Sequence, residues 1–494
     1  MADSILLWNE VALEANRVSH SNGAGEQEGP PLSARALAIT HKAMFDALTQ
    51  AAAKSENVDF AIAGAAYHAL SELFPSQSPV FNSVLAGNGD PNSPSHTTGK
   101  DAAMAILTDR DADPGVGSAT YRPSDAPGKH RPDPENRGQG FHAADYGKLS
   151  KLFSTSKRYQ LAAPPFRDAE YEGAVKQVRS KGIKPELMGT LPAGSPARTA
   201  EETLVGLFWG YDGALNLGTP PRLYNQIIRG VAQKMGNSRE DNARLFCLVN
   251  VAMADAGILA WEQKYISDFW RPVVGVREHD LSMGPLDSPP PFPPIGDNGD
   301  PGWLPLGAPL SNRIGKNFTP PFPAYPSGHA TFGAAALHMA RLFYGQGGKF
   351  SDQSLGPDQL FKDLFFVSEE FNGLTTDNSG TVRPRHRRSF QNGLWQMIVE
   401  NGLSRVFLGV HWMFDAFVEK GNGDPDIYRH LEIDVGNGVK EKRYFGGVPL
   451  GLQIAEDIFN GSNGKGPATS QAVPNAAPEK LKGRKATFSS KYIN

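Results

Sequence analysis

Two cationic residues, Lys264 and Arg271, lie seven positions apart in the segment KYISDFWRP, and Pro272 follows them directly. On a helix, that spacing would bring both side chains to nearly the same face, about 10 Å apart along the axis. Pro272 would end the helix there. Such a pair usually forms a solvated face, but aromatic residues surround this one: Trp261, Tyr265, Phe269 and Trp270. The two cations could therefore converge on one anion.

A second group of polar residues lies where a proline-rich segment meets an apolar one, in FPAYPSGHATFG. Ser327 is suited to cap the helix predicted to begin there, and Gly328 would let the backbone approach a ligand closely. The free N–H groups at a helix start favour an anion. An ordinary capped helix would explain Ser327, but it would not explain His329 at the same end.

The third group, Arg405 and His411, lies six residues apart in SRVFLGVHWMFD. On one continuous helix these side chains would point about 120° away from each other, whereas a break near Gly409 would let both face one site. His411 could instead be a core histidine with satisfied hydrogen bonds beside Trp412. We interpret Asp415 as a carboxylate on the helix surface, without a catalytic role.

Together the three segments supply three cations, a hydroxyl at a helix start and two histidines. Fixed cations and hydrogen-bond donors of this kind bind oxyanions that carry several charges. Each segment alone has an ordinary explanation, but chance is a poor explanation for all three in one sequence. The sequence therefore predicts a pocket for a highly charged tetrahedral oxyanion.

Composition excludes several classes of protein. The net charge of −3 over 494 residues gives no basic field for nucleic acid. Glycine (53) and proline (39) are abundant, which argues against a coiled coil and predicts long loops. The single cysteine, Cys247, lies among apolar residues and is expected in the core. Without signal-peptide features or a long apolar run, we expect a soluble protein, cytoplasmic or exported by an unconventional route.

Helical periodicity dominates the chain. It predicts helices over 32–53, with Ser33 as a cap, and over 58–74, ended by Pro75. Further helices are predicted over 201–217, 221–235, 239–268, 327–345, 360–371, 387–408 and 412–420. Patterns typical of strands are scarce. We therefore expect a mainly α fold of two packed helical bundles with long Pro/Gly-rich loops and an active site in the C-terminal bundle.

The predicted domains are an N-terminal helical region with long loops over 1–190, a C-terminal bundle over 191–460 and a disordered tail over 461–494. Loops are expected over 75–150 and over 284–326, where thirteen prolines exclude helix. The basic run RPRHRR, 383–388, could gather anions. We interpret it as a solvated loop without a role in the site.

The three motifs, K-x6-R-P, P-S-G-H and S-R-x5-H-x3-D, resemble the signature shared by vanadium-dependent haloperoxidases and type 2 phosphatidic acid phosphatases with bacterial acid phosphatases. Longer segments resemble the fungal vanadium chloroperoxidase branch, including WNEVALEANRVSH, FWGYDGALNLGTPPRLYNQ and GGVPLGLQIAEDIFN. The resemblance runs to about residue 459. It is poor over 75–190 and absent in the tail, and the chain is shorter than the fungal enzymes between the second and third motifs.

The resemblance implies a vanadate cofactor bound covalently to a nitrogen of His411, and no haem or flavin. Its oxygens would contact the side chains of Lys264, Arg271, Arg405 and Ser327 and the N–H of Gly328. In the family, His329 would act as acid and base, Lys264 would polarise the bound peroxide and Asp212 would orient Arg405. Two rings would line a halide pocket: Phe322 and Trp261. The implied reaction is oxidation of bromide, and of chloride, by hydrogen peroxide to hypohalous acid.

Two other functions fit the same motifs. A soluble acid phosphatase would use His411 as nucleophile and His329 as leaving-group acid, although the chain length and the N-terminal half argue against it. A silent anion-binding bundle would need six matching site residues to be accidental. The partners expected are hydrogen peroxide, halide and a small organic acceptor, without nucleic acid or membrane; the acceptor and the oligomeric state stay open.

Overall fold

The computed structural model describes residues 3–166, 168–278, 299–462 and 465–474. Within these residues lie α1 (Ser4–Ser19), α2 (Pro30–Ala53), α3 (Val58–Leu73), α4 (Ser78–Asn88), α5 (Pro94–Asp109), α6 (Tyr146–Leu149), α7 (Ala169–Lys181), α8 (Ala200–Phe208), α9 (Pro220–Met235), α10 (Arg239–Ser267), α11 (Pro272–Glu278), α12 (Gly328–Phe343), α13 (Gly393–Phe407) and α14 (Gly447–Gly461). The mainly α fold expected from the sequence is confirmed.

Strands are few and short. They are β1 (Leu364–Phe366), β2 (Arg388–Phe390), β3 (Val418–Glu419), β4 (Pro425–Asp426), β5 (His430–Asp434) and β6 (Lys440–Tyr444). They form three two-stranded antiparallel ribbons, β1–β2, β3–β4 and β5–β6. These ribbons lie in the segments that connect the helices, and they form no separate layer of the core.

The centre of the fold is α10. A capping box of Ser238 and Asp241 opens this helix, and most of its side chains as far as Lys264 are buried. It packs against α2 on one side and against α12 and α14 on another. By length and composition it could cross a membrane, but 94% of its most apolar stretch is buried inside the protein. It is therefore a core helix of the protein.

The start of α12 is held by two close glycines of α14. A Cβ on Gly447 would lie 2.5 Å from the carbonyl oxygen of Ser327, and one on Gly451 would lie 2.4 Å from that of Thr331. Side chains at these two positions would push the helices apart. The segment GGVPLG therefore fixes where the Ser-Gly-His turn lies.

Several predicted elements are wrong. Residues 75–150 contain α4, α5 and α6, and 360–371 holds β1 and a single 3-10 turn. The 412–420 segment is a 3-10 turn followed by β3, the predicted 201–217 helix ends at Phe208, and α13 begins only at Gly393. Ser33 lies inside α2, whose cap is Gly29, and its hydroxyl accepts from Asn16 Nδ2 at 2.8 Å. Helices α1, α7, α11 and α14 were not predicted from the sequence.

The structure also bears on the expectations for Cys247, the proline-rich loop and the C-terminal tail. Cys247 is fully buried in the core, as expected. Residues 299–326 contain no helix, whereas the 284–298 part of that loop lies outside the described residues. Part of the predicted disordered tail is packed: the N–H of Ser470 donates to the carbonyl of Phe153 at 3.0 Å. Residues 475–494 lie outside the described part. The domain boundaries at 190 and 460 stay a prediction.

Candidate active site

The first motif is connected to the second through Lys264. This residue lies near the end of α10, fully buried, and its ammonium donates to the carbonyl oxygens of Pro323 at 3.0 Å, Ala324 at 3.0 Å and Pro326 at 2.5 Å. Burial lowers the pKa of Lys264 well below its usual value, and nearby Arg271 lowers it further. The carbonyls hold this cation directly behind the Ser-Gly-His turn.

Arg271 does not lie on the same helix as Lys264, which corrects the expected geometry. The helix α10 ends at Ser267 because Asp268 turns into the left-handed region at φ +51°, and Pro272 starts α11 instead of ending α10. The Arg271 guanidinium nevertheless reaches the third motif. Its Nη1 donates to the Val410 carbonyl at 2.7 Å and lies 2.9 Å from His411 Nε2.

The break expected in the third motif is present. Helix α13 ends at Phe407, and Gly409 adopts φ +71°, where a Cβ would lie 2.4 Å from the carbonyl oxygen of Gly182. The chain therefore turns after Leu408, and both Arg405 and His411 are buried on the inner side. The break that the sequence predicted is therefore present, and the shared site of Arg405 and His411 stays a prediction.

Asp415 is the main correction to the sequence analysis. It is fully buried, not on a helix surface, because the chain folds into a 3-10 turn, Met413–Asp415, after the break. Its Oδ2 lies 2.7 Å from His411 Nδ1 and accepts from the Trp412 N–H at 3.0 Å. Burial raises the pKa of Asp415 to about 7, against the opposing effect of Lys264 and Arg271.

The contacts of His411 assign its tautomer. A carboxylate oxygen accepts, so Nδ1 carries the proton that points at Asp415. Nε2 then keeps its lone pair, which accepts from Arg271 at 2.9 Å. A histidine held in this way by a carboxylate is the usual arrangement of a metal-ligating imidazole.

Arg405 is oriented by Asp212, as expected. Its Nη1 and Nη2 donate to the two carboxylate oxygens at 2.9 and 2.7 Å, and both side chains are buried. Such a bidentate pair fixes the plane of the guanidinium. Asp212 belongs to a turn after α8 in which Tyr211 has a φ of +55°.

His329 lies in the first turn of α12 and is also oriented. Its Nε2 is 2.8 Å from the carbonyl oxygen of Gly210 and 4.0 Å from Asp212 Oδ1. Burial lowers the pKa of His329 to about 4, and Arg405 adds to that effect. The imidazole is therefore neutral at mildly acidic pH and able to accept a proton.

Ser327 and Gly328 form the expected helix start. The Ser327 hydroxyl accepts from the Ala330 N–H at 3.4 Å, and the Ser327 N–H donates to the Asp415 carbonyl at 2.7 Å. A Cβ on Gly328 would lie 3.2 Å from the Trp261 ring. The backbone of the second motif thus lies tight between the first and third motifs.

The two rings predicted for a halide pocket lie together over the cations. The centroids of Trp261 and Phe322 are 4.9 Å apart. Lys264 Nζ is 5.1 Å from the Phe322 centroid, and Arg271 Cζ is 4.9 Å from it. Ring faces attract cations at these distances and also keep water from them. A third ring, His142, packs 6.2 Å from Phe322.

The donor set fits vanadate. Three buried cations face two buried carboxylates, so the pocket has an excess of positive charge: Lys264, Arg271 and Arg405 against Asp212 and Asp415. Among the described residues, Arg271 Nη2 and Arg405 Nε are buried without a hydrogen-bond partner. Burial lowers the pKa of Arg271 to about 9. Unmet buried donors are costly, and an oxyanion beside the His411 Nε2 lone pair would satisfy both.

Sequence reasoning missed some residues that support this pocket. Asp415 was visible in the motif, but its position on a predicted helix surface hid its role. The Asn401 amide and the Tyr224 hydroxyl both donate to the His329 carbonyl, at 2.7 and 3.0 Å. The basic run 383–388 is not simply a solvated loop, because Arg383 is buried and paired with Glu370 at 2.7 Å. Only the tertiary fold could show these contacts.

Comparisons with known proteins agree with this geometry. A family model described as the vanadium chloroperoxidase N-terminal domain matches residues 2–79, and one described as the second helical-bundle domain (VCPO) matches residues 244–423. Vanadium chloroperoxidase of Curvularia inaequalis is 35% identical over an alignment that covers 96% of this chain and 92% of that protein.

Two solved structures share the fold. A bacterial vanadium-dependent iodoperoxidase aligns with a TM-score of 0.57 at 17% identity, over 91% of this chain and 95% of that one. A holo-type bacterial vanadium-dependent chloroperoxidase aligns with a TM-score of 0.59 at 15% identity, over 88% and 93%. The assignment to a family rests on the two family models and on the fungal relative. They show that the chain belongs to the vanadium chloroperoxidase family.

Proposed function

We propose that this protein is a vanadate-dependent haloperoxidase that oxidises halide with hydrogen peroxide. The reaction consumes one halide ion, one peroxide and one proton, and gives hypohalous acid and water. The observation that carries the proposal is the joint geometry of the three motifs: buried cations with unmet donors beside a histidine whose Nδ1 faces a carboxylate and whose Nε2 lone pair faces Arg271. Family membership supports the same reaction.

Vanadate would be held by this chain as follows. His411 Nε2 would supply the single covalent bond, because Asp415 fixes the proton on Nδ1. Oxygens would accept from Arg271, Arg405, the Ser327 hydroxyl and the Gly328 N–H, with Lys264 as a fixed positive charge behind them. When bound, vanadate supplies an electrophilic centre that activates peroxide toward halide.

His329 supplies the acid–base function in this proposal. Because a carbonyl oxygen only accepts, Nε2 carries the proton that points at Gly210, and Nδ1 keeps a lone pair. That nitrogen would take a proton from incoming peroxide and later return it. Burial keeps the pKa of His329 at about 4 in the metal-free protein, so the base is not lost to protonation at mildly acidic pH.

Phe322 and Trp261 would form the halide pocket. Both rings lie near cations, so a halide there would be attracted by charge and would shed water against apolar surface. Chloride is harder to oxidise than bromide and needs the drier pocket. We therefore propose bromide as a substrate and chloride as a second one.

The alternative of an acid phosphatase is not favoured. The two matched family models and the fungal relative are all chloroperoxidases. We further propose a protein free in solution, with a small organic acceptor or hypohalous acid itself as the end product, and the C-terminal bundle 191–460 as the domain that holds the pocket.

A halogenation assay tests this function. The metal-free protein is loaded with orthovanadate, and peroxide-dependent halogenation of monochlorodimedone is followed with each halide. We expect activity only after loading, with bromide and then chloride. Rapid hydrolysis of p-nitrophenyl phosphate by the metal-free protein, without halogenation after loading, would instead favour the phosphatase.

A further inference from the structure

A buried carboxylate lies behind the turn that orients His329. Glu370 is fully buried in the segment after β1, and its Oε1 accepts from the Tyr211 N–H at 3.2 Å. Its Oε2 accepts from the Ser311 hydroxyl at 2.5 Å and from Arg383 Nη1 at 2.7 Å. None of these residues belongs to the three motifs.

The Tyr211 N–H belongs to the same peptide group as the Gly210 carbonyl. That carbonyl oxygen lies 2.8 Å from His329 Nε2. One peptide group therefore has the Glu370 carboxylate on its N–H end and the His329 imidazole on its carbonyl end. Hydrogen bonds in such a chain polarise one another, and the effect is stronger away from water.

We infer that Glu370 fixes the tautomer and orientation of His329 through the peptide group that joins Gly210 to Tyr211. The negative charge on the N–H side makes the Gly210 oxygen a better acceptor, so the proton stays on Nε2. Nδ1 is then kept as the proton-accepting atom. Glu370 is a positioning residue in this scheme, and the inference rests on the proposed role of His329.

The packing around the turn supports this assignment. A Cβ on Gly210 would lie 2.5 Å from Glu370 Oε1, so glycine is what allows the carboxylate to come so close. Burial raises the pKa of Glu370 and the nearby Asp212 charge also raises it, but Arg383 first and then Ser311 and the Tyr211 N–H oppose that effect. All of its described partners donate, which favours the ionised carboxylate.

The turn has other attachments that do not depend on this charge. The Ser368 hydroxyl donates to the Phe208 carbonyl at 2.7 Å, and the Glu369 N–H donates to the Tyr211 hydroxyl at 2.9 Å. The Gly213 N–H donates to the Gly218 carbonyl at 2.9 Å. Glu370→Gln should therefore remove the negative charge without changing the backbone of the turn. The pairing of Asp212 and Arg405 should be kept as well.

The test uses nitrogen NMR of the metal-free protein with ¹⁵N-labelled histidine, with the His329 signals assigned by their loss in His329→Gln. In the wild type we expect the proton on Nε2. In Glu370→Gln we expect signals shifted toward a mixture of both tautomers. After vanadate loading, kcat for halogenation should fall about 10- to 100-fold, the effect typical of groups that orient a metal-ligating histidine, while vanadate affinity is unchanged.

A matched control is Asp358→Asn. Asp358 is also buried, pairs with an arginine, Arg341, at 2.7 Å and accepts from a backbone N–H, that of Trp395, at 2.9 Å. It should reproduce any general loss of stability and leave the His329 tautomer and kcat as in the wild type. If Glu370→Gln alone fails to fold, Glu370→Gln/Arg383→Gln removes both charges together and avoids a lone buried cation.

An unchanged His329 tautomer in the folded variant would overturn the inference, whatever happens to turnover. Unchanged turnover would overturn it as well, and so would a loss of vanadate affinity equal to the loss of kcat, since that indicates a collapsed turn. If the wild type itself fails to halogenate after loading, the proposed function fails, but the tautomer measurement still decides the link between Glu370 and His329.

Discussion

Replacement of Asp415 by alanine should weaken vanadate binding without abolishing the fold. The substitution removes the acceptor that lies 2.7 Å from His411 Nδ1 and 3.0 Å from the Trp412 N–H. Only the Arg271 donor, 2.9 Å from Nε2, would then favour the lone pair on that nitrogen, which is the one proposed to bind vanadium, so the proton would be held less firmly on Nδ1. Asp415→Asn is the milder change, because an amide oxygen can still accept both hydrogen bonds but brings no charge.

The magnitude follows from the contact that is lost. A buried hydrogen bond to a charged group contributes about 1.5–3 kcal/mol, which corresponds to roughly 10- to 150-fold in an equilibrium constant. Groups that hold a metal-ligating histidine typically change metal affinity by about 10- to 100-fold. We therefore expect vanadate to bind Asp415→Ala about 10- to 100-fold more weakly, and Asp415→Asn less weakly than that.

Calorimetric titration of the metal-free proteins with orthovanadate measures this directly. Circular dichroism of each variant controls for folding. Asp358→Asn is again the matched control, since it removes a buried carboxylate charge far from His411, and it should bind vanadate as the wild type does. Unchanged or tighter vanadate binding by folded Asp415→Ala would refute the role given to Asp415.

Three further predictions follow from the same geometry. His329→Ala should bind vanadate but lose about 100- to 10,000-fold in halogenation turnover, the usual contribution of an acid–base group; near wild-type turnover at its own optimum pH would exclude His329 from proton transfer. Phe322→His should depress chlorination more than bromination in steady-state assays, because a polar ring makes the pocket wetter; an equal effect on both halides would leave Phe322 as core packing only. Burial lowers the pKa of four buried histidines to about 4: His20, His41, His142 and His329. These imidazoles bind protons in the unfolded chain between about pH 6.5 and 4 but stay neutral in the folded chain, so each one lowers the free energy of unfolding as the pH drops through this range. Asp415, whose pKa is raised to about 7, acts in the opposite direction, so urea denaturation should compare the metal-free wild type with His41→Gln. The variant should lose less stability between about pH 6.5 and 4, and an equal loss would contradict the neutral burial of His41.

The chemistry of the site was predictable from the sequence because it depends on residue types at short spacings. The three motifs contained every cation, the helix start and both histidines, and Gly409 correctly indicated the break after α13. What failed was the geometry between motifs. Arg271 was placed on the same helix as Lys264, whereas Asp268 in a left-handed conformation ends that helix four residues after Lys264.

Two supporting carboxylates, Asp415 and Glu370, could not be predicted, since a buried acid next to apolar residues has no local signature. Asp415 follows Met413 and Phe414 in a segment with helical periodicity, and it is buried only because that segment is a single 3-10 turn. Glu370 meets Arg383 only through the tertiary fold. The prediction of a loop over 75–150 was wrong for another reason. Gly, Pro and Asn there mark the starts and ends of α4 and α5 and do not exclude helix between them.

The most direct test of the central claim compares vanadate binding by the wild type and by His411→Ala. Equilibrium titration of the metal-free wild type should give one vanadate per chain, with halogenation activity that rises in proportion to the vanadate bound. His411→Ala should lose both the tight binding and the activity, because the substitution removes the Nε2 atom that supplies the proposed covalent bond. Equal vanadate affinity in the two proteins, or halogenation by the folded variant at the wild-type rate, would contradict the account.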